Sequence, residues 1–151
     1  SFQVIQSFFT SKLNFTFFIF SRYKSTPLLF LLQQASVCAL TAENVELLTS
    51  EQYCKTINSL FNSATKSIFV AMYSFKYYSQ YPKSPSNIFV NALIEAKKRG
   101  VDVTVLLDIS RDEESTKENQ KTGKILSKKG VKVYYNSVET LTHTKTIVID
   151  S

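Results

Sequence analysis

The closing stretch of the chain, THTKTIVIDS at 142 to 151, holds the side chains best suited to chemistry. His143 is the single histidine of the sequence, and an imidazole near neutral pH attacks as a nucleophile or transfers protons. Lys145 follows two positions later, where an ammonium group would hold an anion, most naturally a phosphate, against the imidazole. A lone histidine in a polar turn is also ordinary surface, so this spacing alone does not establish a site.

A β-strand would position this pair. Alternate side chains of a strand share a face, so His143 and Lys145 project together while Ile147 and Ile149 continue the same face into the core. Asp150 lies seven positions beyond His143, an odd separation that directs it to the opposite face. We therefore interpret Asp150 as holding the strand end and the following turn through hydrogen bonds, not as a direct partner of the imidazole.

Regular elements are predicted from about residue 43. NVELL is a short strand, and Thr49 or Ser50 caps a helix with apolar residues at spacings of three and four. The run 67 to 75 is β-branched and aromatic, which is typical of a strand buried on both faces. A second helix runs from Ser86 to Arg99, with its core side formed by Ile88, Phe89, Ala92, Leu93 and Ala96.

The segments KKRGVDVTVLLD and LSKKGVKVYY each join a helix, a glycine and a strand. The resulting order, β-α-β-α-β-α-β-β, predicts an α/β fold with a mixed, largely parallel sheet and helices on both faces.

Residues 1–40 differ in composition from the rest of the chain. They contain eight of the twelve phenylalanines, three basic residues and no acidic residue. Their basic region followed by the apolar run 27 to 32 is similar to an export signal, and the alternatives are a membrane anchor or an irregular arm that packs on a partner. We therefore predict two units, a signal, anchor or arm over 1–40 and a domain over 41–151. A signal or anchor would make the protein secreted or membrane-associated.

Composition excludes several other classes of protein. A length of 151 residues and a hydrophobic content of 44% indicate one globular domain. Cys38 and Cys54 are too few for a disulfide framework or a zinc cluster, so a structural metal site is not expected. The net charge of +6 favours polyanionic partners such as nucleic acid or acidic lipid.

HTKTIVID resembles the His-x-Lys-x4-Asp signature of the phospholipase D superfamily, with His143, Lys145 and Asp150 in the defining positions. The order of KRGVDVTVLLD, LSKKGVKVYYN and the motif is similar to the small single-motif members, of the bacterial endonuclease and mitochondrial types. The resemblance covers roughly residues 43 to 151, and it implies a phospholipase D-like fold.

The resemblance also implies a reaction. His143 would attack phosphorus to form a phosphohistidine, and the histidine of a second motif would protonate the leaving oxygen and later activate water. Lys145 would hold the non-bridging oxygens, and no metal or other cofactor would be needed. A homodimer would bring two copies of the motif together.

The sequence departs from the family pattern after Asp150, where members continue with a Gly-Ser pair and an Asn or Glu. We expect the chain to represent the first part of such a domain, lacking its C-terminal part, and to be weakly active or inactive alone.

Three functions remain open at this point. The leading hypothesis is a metal-independent nuclease acting on DNA or RNA. Its backbone contacts would come from basic helix ends, and its base contacts from tyrosines at the end of the 67–75 strand and after it, although packing or a dimer contact is favoured for those tyrosines. The second hypothesis is a phospholipase acting on membrane phospholipids, and the third is a catalytically silent module that binds nucleic acid or membranes. The basic residues are Lys97, Lys98, Arg99, Lys128 and Lys129, and the tyrosines are Tyr73, Tyr77, Tyr78 and Tyr81.

Overall fold

A computed structural model of the chain describes residues 2–9, 16–23, 44–109 and 113–151. These residues form seven strands and three helices. In chain order they are β1 (Phe2–Phe9), β2 (Thr16–Tyr23), β3 (Asn44–Leu47), α1 (Ser50–Ser63), β4 (Ser67–Met72), α2 (Pro85–Lys98), β5 (Asp102–Leu107), α3 (Glu113–Ser127), β6 (Lys132–Tyr135) and β7 (Lys145–Ile149).

The strands form one sheet in the order β3-β2-β1-β7-β4-β5-β6. β4, β5 and β6 are parallel neighbours joined through α2 and α3, whereas β7 pairs antiparallel with β4 on one side and with β1 on the other. The predicted element order from β3 to β7 and the mixed α/β class, with a sheet flanked by helices, are therefore confirmed.

Two strands lie within residues 1–40. β1 and β2 pair antiparallel, and β1 also pairs with β7 from Gln3 opposite Ile149 to Gln6 opposite Thr146. These strands do not agree with an irregular arm over the whole of 1–40. The run 27 to 32, on which the signal interpretation depended, lies outside the described residues, so a signal or anchor and the division at residue 40 stay predictions. No helix in the described part of the chain has the length and hydrophobicity to span a membrane.

Local sequence explains where the helices begin and end. Thr49 caps α1 in a capping box with Gln52, and Ser84 caps α2 just before Pro85, whose fixed φ suits the first helical position. Gly100 and Gly130 take φ values of 93° and 83° at the two predicted helix-to-strand junctions. Glycine adopts this conformation without a Cβ penalty, so each helix stops sharply and the next strand starts at once.

The core lies between the helices and one face of the sheet. That face carries the buried side chains of β4, β5 and β7, which pack against apolar residues of α1, α2 and α3. Gly123 of α3 allows close approach to β6, because a Cβ there would overlap the hydroxyl of Tyr135. Among the described residues the three helices lie over this face, so helix cover on the second face stays a prediction. The buried sheet residues are Ile68, Val70, Val103, Val105, Leu107, Ile147 and Ile149.

Two details of the predicted core were wrong. Phe69 is exposed, because it points to the sheet face opposite the three described helices. Ile88 is also exposed, whereas Val90 and Ile94 are buried. α2 packs on both α1 and the sheet, so the side of this helix that is buried includes Val90 and Ile94 and not Ile88. Ile88 lies on the exposed side, beside Asn91 and Glu95.

Candidate active site

β7 connects two opposite edges of the sheet. Because β7 is antiparallel to β4, its first residue, Lys145, pairs with Met72 and its last, Ile149, pairs with Ile68. The ends of β7 therefore lie at different edges. The carboxyl edge is where β4, β5 and β6 end, at Met72, Leu107 and Tyr135, and the amino edge is where they begin, at Ser67, Asp102 and Lys132.

The structure brings His143 and Lys145 together at the carboxyl edge. His143 Nε2 lies 3.5 Å from Lys145 Nζ, so the two side chains project to one side as the alternation predicts. The strand starts later than expected, at Lys145, and His143 precedes it. The backbone N–H of Tyr73 still donates to the carbonyl of Thr144 at 2.8 Å, which attaches the residues before β7 to the end of β4.

Tyr73 completes the immediate surroundings of this pair. Its ring lies edge-on to the imidazole of His143, with centroids 4.5 Å apart and planes at 81°, and Lys145 Nζ lies 5.7 Å from its centre. His143 is exposed, while Lys145 is half-buried, and burial lowers the pKa of its ammonium group. Tyr73 therefore restricts the imidazole beside the cation while leaving the outer side of the histidine open to a ligand.

A polar network holds the segment that leads into His143. Oδ1 of the buried Asp108 accepts a hydrogen bond from the backbone N–H of Thr142 at 2.8 Å and another from Asn136 Nδ2. Asn136 Nδ2 also donates to the carbonyl of Thr140, and Asn136 Oδ1 accepts from the N–H of Ile109. The residue immediately before His143 is thus fixed to the end of β5.

Sequence reasoning missed this network. The sequence did carry a sign of it. The parallel neighbours β5 and β6 are each followed at once by a polar residue, Asp108 after β5 and Asn136 after β6. The carboxyl ends of parallel strands meet at one edge, which is where ligands bind in open α/β sheets. The contact with Thr142 spans 34 positions, so no local pattern reveals it.

Asn136→Ala is expected to loosen His143 without touching it. The change leaves Asp108 and the loop 136–142 without their shared donor, which costs about 1–3 kcal/mol of unfolding free energy for a buried hydrogen-bonding group. Since the chain has one histidine, the ring protons of His143 can be followed by NMR without assignment ambiguity. We expect their resonances to shift and broaden, whereas the exposed Asn91→Ala leaves them unchanged. Sharp, unshifted resonances in Asn136→Ala would show that the network does not position the imidazole.

Asp150 lies at the amino edge, far from His143. Its carboxylate accepts hydrogen bonds from the backbone N–H groups of Thr65, Lys66 and Ser67 at 2.8 to 3.2 Å. Its φ of 57° is left-handed, a conformation that aspartate and asparagine tolerate better than most residues. Seven residues of extended chain separate it from His143 by roughly 20 Å. These contacts attach the end of β7 to the loop between α1 and β4.

The hydrogen bonds also determine how Asp150 ionises. Partial burial raises the pKa of its carboxyl, but the N–H groups of Lys66, Thr65 and Ser67 lower it by more in combination, so the pKa lies below its ordinary value. A carboxyl whose folded pKa is lowered stabilises the fold above its unfolded pKa. That stabilisation is lost as the pH falls through the folded value.

Asp150→Asn is expected to lower the unfolding free energy at pH 7 by about 1.5–3 kcal/mol, the range for hydrogen bonds to a charged group. Asparagine tolerates the same φ, so the change isolates the charge. The difference from wild type should shrink as the pH falls below the ordinary carboxyl pKa of about 4, and it should vanish below the lowered folded pKa, where the carboxyl is neutral in both states.

Urea unfolding at pH 7 and pH 3 measures this difference. The control is Asp102→Asn, which removes an exposed ion pair with Lys132 at 2.8 Å and should leave the unfolding free energy close to that of wild type. An Asp150→Asn variant as stable as wild type at pH 7 would show that this carboxylate does not support the fold.

The basic helix ends lie at the amino edge, away from His143. Lys97, Lys98 and Arg99 end α2 just before β5 begins, and Lys128 and Lys129 precede β6 in the same way. Arg99 donates to the carbonyl of Phe61, and Lys98 pairs with Glu95. The expectation that these residues bind the backbone of a substrate held at His143 therefore does not fit the structure. The lysines at the carboxyl edge include Lys76, Lys121 and Lys145.

The described residues place no three His, Cys, Asp or Glu side chains together in a group that could hold a metal ion.

The sequence from residue 57 to 151 matches the family model described as "Cardiolipin synthase, PLD-like domain". The chain belongs to the phospholipase D superfamily. The matched region runs from α1 through β7 and includes the pair at the carboxyl edge, and membership supports phosphodiesterase activity. No curated protein matches the chain significantly.

Solved structures with similar folds include a second member of the phospholipase D superfamily. This is Nuc, a phospholipase D family member from Salmonella typhimurium, with a TM-score of 0.44 and 20% identity, over 63% of this chain and 73% of Nuc. The chain is also similar to the polyphosphate kinase of Porphyromonas gingivalis, with a TM-score of 0.43 and 10% identity, over 67% of this chain and 21% of the kinase.

Proposed function

We propose that the protein is a metal-independent phosphodiesterase that cleaves DNA or RNA through a phosphohistidine formed on His143. The observation that carries this proposal is the 3.5 Å approach of His143 Nε2 to Lys145 Nζ at the end of a core strand. A protonated lysine only donates, so this approach suits the neutral imidazole tautomer that has its lone pair on Nε2. The nucleophilic lone pair of the imidazole and the cation that attracts a phosphate therefore lie on the same side.

The reaction has two steps. Nε2 of His143 forms a bond to phosphorus while the bond from phosphorus to the leaving oxygen breaks, and that oxygen takes a proton from a general acid. Water then forms a bond to phosphorus while the phosphorus–nitrogen bond breaks and the imidazole is released, and the group that acted as general acid takes the proton from the water. Lys145 balances the negative charge that builds on the non-bridging oxygens in both steps, and Tyr73 limits rotation of the imidazole.

A second copy of the chain supplies the general acid in this proposal. The sequence offers one histidine, and one imidazole cannot attack phosphorus and protonate the leaving group at the same time. A two-fold axis near His143 would place two carboxyl edges face to face, each donating one histidine to a joint site. Dilution below the dimer dissociation constant should then reduce the activity per chain.

Nucleic acid is the preferred substrate because the chain carries a net charge of +6. A phospholipid is the second candidate, and two observations favour it. Val138 and Leu141 are 60% and 63% exposed on the loop before His143, where they would enter a lipid surface. The matching family model also carries the description of a cardiolipin synthase.

The deciding experiment offers both substrates to the same protein in excess EDTA. Labelled single- and double-stranded DNA and RNA are compared with vesicles of phosphatidyl lipids, using wild type and a Val138→Ser, Leu141→Ser double variant. The proposal expects EDTA-resistant cutting of nucleic acid that the double variant retains. Lipid cleavage that the double variant loses, without nuclease activity, would establish the second candidate. Binding that survives in His143→Ala, without turnover of any substrate, would instead indicate a silent binding module.

A further inference from the structure

An open cavity of about 360 Å³ lies at the carboxyl edge, in the loop that joins β4 to α2. Its volume falls in the range of small-ligand sites. The sequence alone favoured packing or a dimer contact over base contacts for the tyrosines of this loop. The lining includes Lys76, Tyr77, Tyr78, Tyr81, Glu118 and Lys121.

Buried polar side chains hold this loop in one conformation. Asn87 of α2, which is 1% exposed, accepts a hydrogen bond from the N–H of Tyr78 and donates to the carbonyls of Tyr78 and Tyr81. Thr122 of α3, also buried, accepts from the N–H of Tyr77 at 3.0 Å. Two helices thus use buried polar groups to fix the backbone of an exposed loop, which is how a binding loop is preorganised.

The tyrosine rings of the loop are available to a ligand. Tyr81 is 64% exposed and Tyr78 is 37% exposed, and their ring centroids lie 6.4 Å apart with planes at 63°. An isolated exposed tyrosine needs no explanation. Two such rings beside one cavity on a backbone fixed by buried groups form a stacking surface of the kind that binds the bases of single strands.

The charges of the side chains around the cavity balance in sum, with Lys76 and Lys121 against Glu114 and Glu118, and this balance suits an uncharged ring. Lys76 Nζ lies 3.6 Å from a carboxylate oxygen of Glu114 and 3.6 Å from Oε1 of Glu118, so two acids balance its charge. Oε2 of Glu118 is buried and has no hydrogen-bond partner among the described residues. Glu118 lines the cavity, so its negative charge disfavours a phosphate there, whereas a nucleobase carries no net charge.

The same loop reaches the proposed catalytic pair. Tyr73 contacts both His143 and Lys145, and Lys76 of the cavity follows Tyr73 by three residues, which span at most about 11 Å. We propose that this cavity is a subsite for a nucleobase of a single-stranded nucleic acid whose phosphate lies at His143, with Tyr81 as the stacking ring. This inference rests on the proposed function, because it needs a nucleic-acid phosphate at His143.

Oligonucleotide binding by the full chain tests the subsite. The probes are a short single-stranded DNA and an abasic oligonucleotide with the same phosphates, at one salt concentration. Tyr81→Ala should weaken binding of the base-bearing strand by about five- to 100-fold, the effect of removing one stacking ring. Tyr81→Phe should retain most of the affinity, and Tyr134→Ala, at an exposed tyrosine of β6, should have no effect. The abasic strand should bind wild type and Tyr81→Ala equally.

The NMR signals of His143 separate the two proposals. In the titration with the base-bearing strand, the subsite is supported if the His143 resonances of Tyr81→Ala shift only at a higher strand concentration than those of wild type. If His143 responds to both strands and Tyr81→Ala changes neither affinity, the subsite is wrong while the proposed function stands. If neither strand shifts His143, the proposed function fails and this inference fails with it.

Discussion

Cleavage is expected to fall by at least about 10³-fold in His143→Ala, which is the scale of losing a nucleophile. No second histidine of the chain can replace it, and water attacking directly would lack the covalent step. His143 is exposed and lies outside β7, so the change should leave the unfolding free energy within about 0.5 kcal/mol of wild type. Loss of activity with unchanged stability therefore assigns the effect to chemistry rather than to folding.

The measurement is the initial rate of cleavage in excess EDTA, with circular dichroism to confirm the fold. His143→Asn serves as the polar control, since it keeps a hydrogen-bonding group of moderate size but offers no nucleophilic nitrogen. Both variants should be equally inactive. Activity within tenfold of wild type in either of them would exclude His143 as the nucleophile.

Lys145→Ala is expected to reduce kcat by about 10²- to 10³-fold, the scale of removing one group that stabilises transition-state charge. KM should change less, because the charge on the transferred phosphoryl group is greatest in the transition state. Lys145→Arg should recover part of the activity, since it keeps the positive charge but differs in length and shape.

Lys97→Ala is the matched control for this prediction. It removes a lysine of the same charge from the amino edge, at the opposite end of the sheet from His143. Its rate should stay close to wild type. Equal losses in the two variants would mean that Lys145 acts only through the overall charge of the protein.

The loss of charge on Lys145 should also appear in the pH dependence of phosphate binding. Burial lowers the pKa of its ammonium group, so the cation that holds the phosphate disappears at a lower pH than an ordinary lysine would lose its charge. Affinity for the substrate phosphate is therefore expected to fall on the alkaline side.

The elements around the pair were predictable because their patterns are local. The capping residue Thr49, the stops at Gly100 and Gly130, and the alternation from Lys145 to Ile149 each depend on neighbours within a few positions. The juxtaposition of His143 and Lys145 followed from the same alternation. The residue at which β7 starts could not be predicted in this way, because β7 pairs with β4 and its first residue lies opposite the last residue of β4.

The remaining features depend on contacts between distant parts of the chain. Asn87 and Asn119 stand at helical positions where the sequence predicted no role, yet both bind the loop after β4 through their amide groups. The basic helix ends were expected near the substrate because of their positive charge alone. The sequence did not show that the C-termini of these helices lie at the amino edge. Strands within residues 1–40 were not predicted, and the pairing of β1 with β7 joins residues 140 to 146 positions apart.

The most direct test of the account is to trap the covalent intermediate. Wild type is mixed with a ³²P-labelled oligonucleotide in excess EDTA, quenched in alkali within the first turnover, and mapped by peptide mass spectrometry. The account predicts an alkali-stable, acid-labile label on the peptide that contains His143, absent from His143→Ala and reduced in Lys145→Ala. Rapid cleavage without any label on His143, or a label on another residue, would contradict the phosphohistidine mechanism.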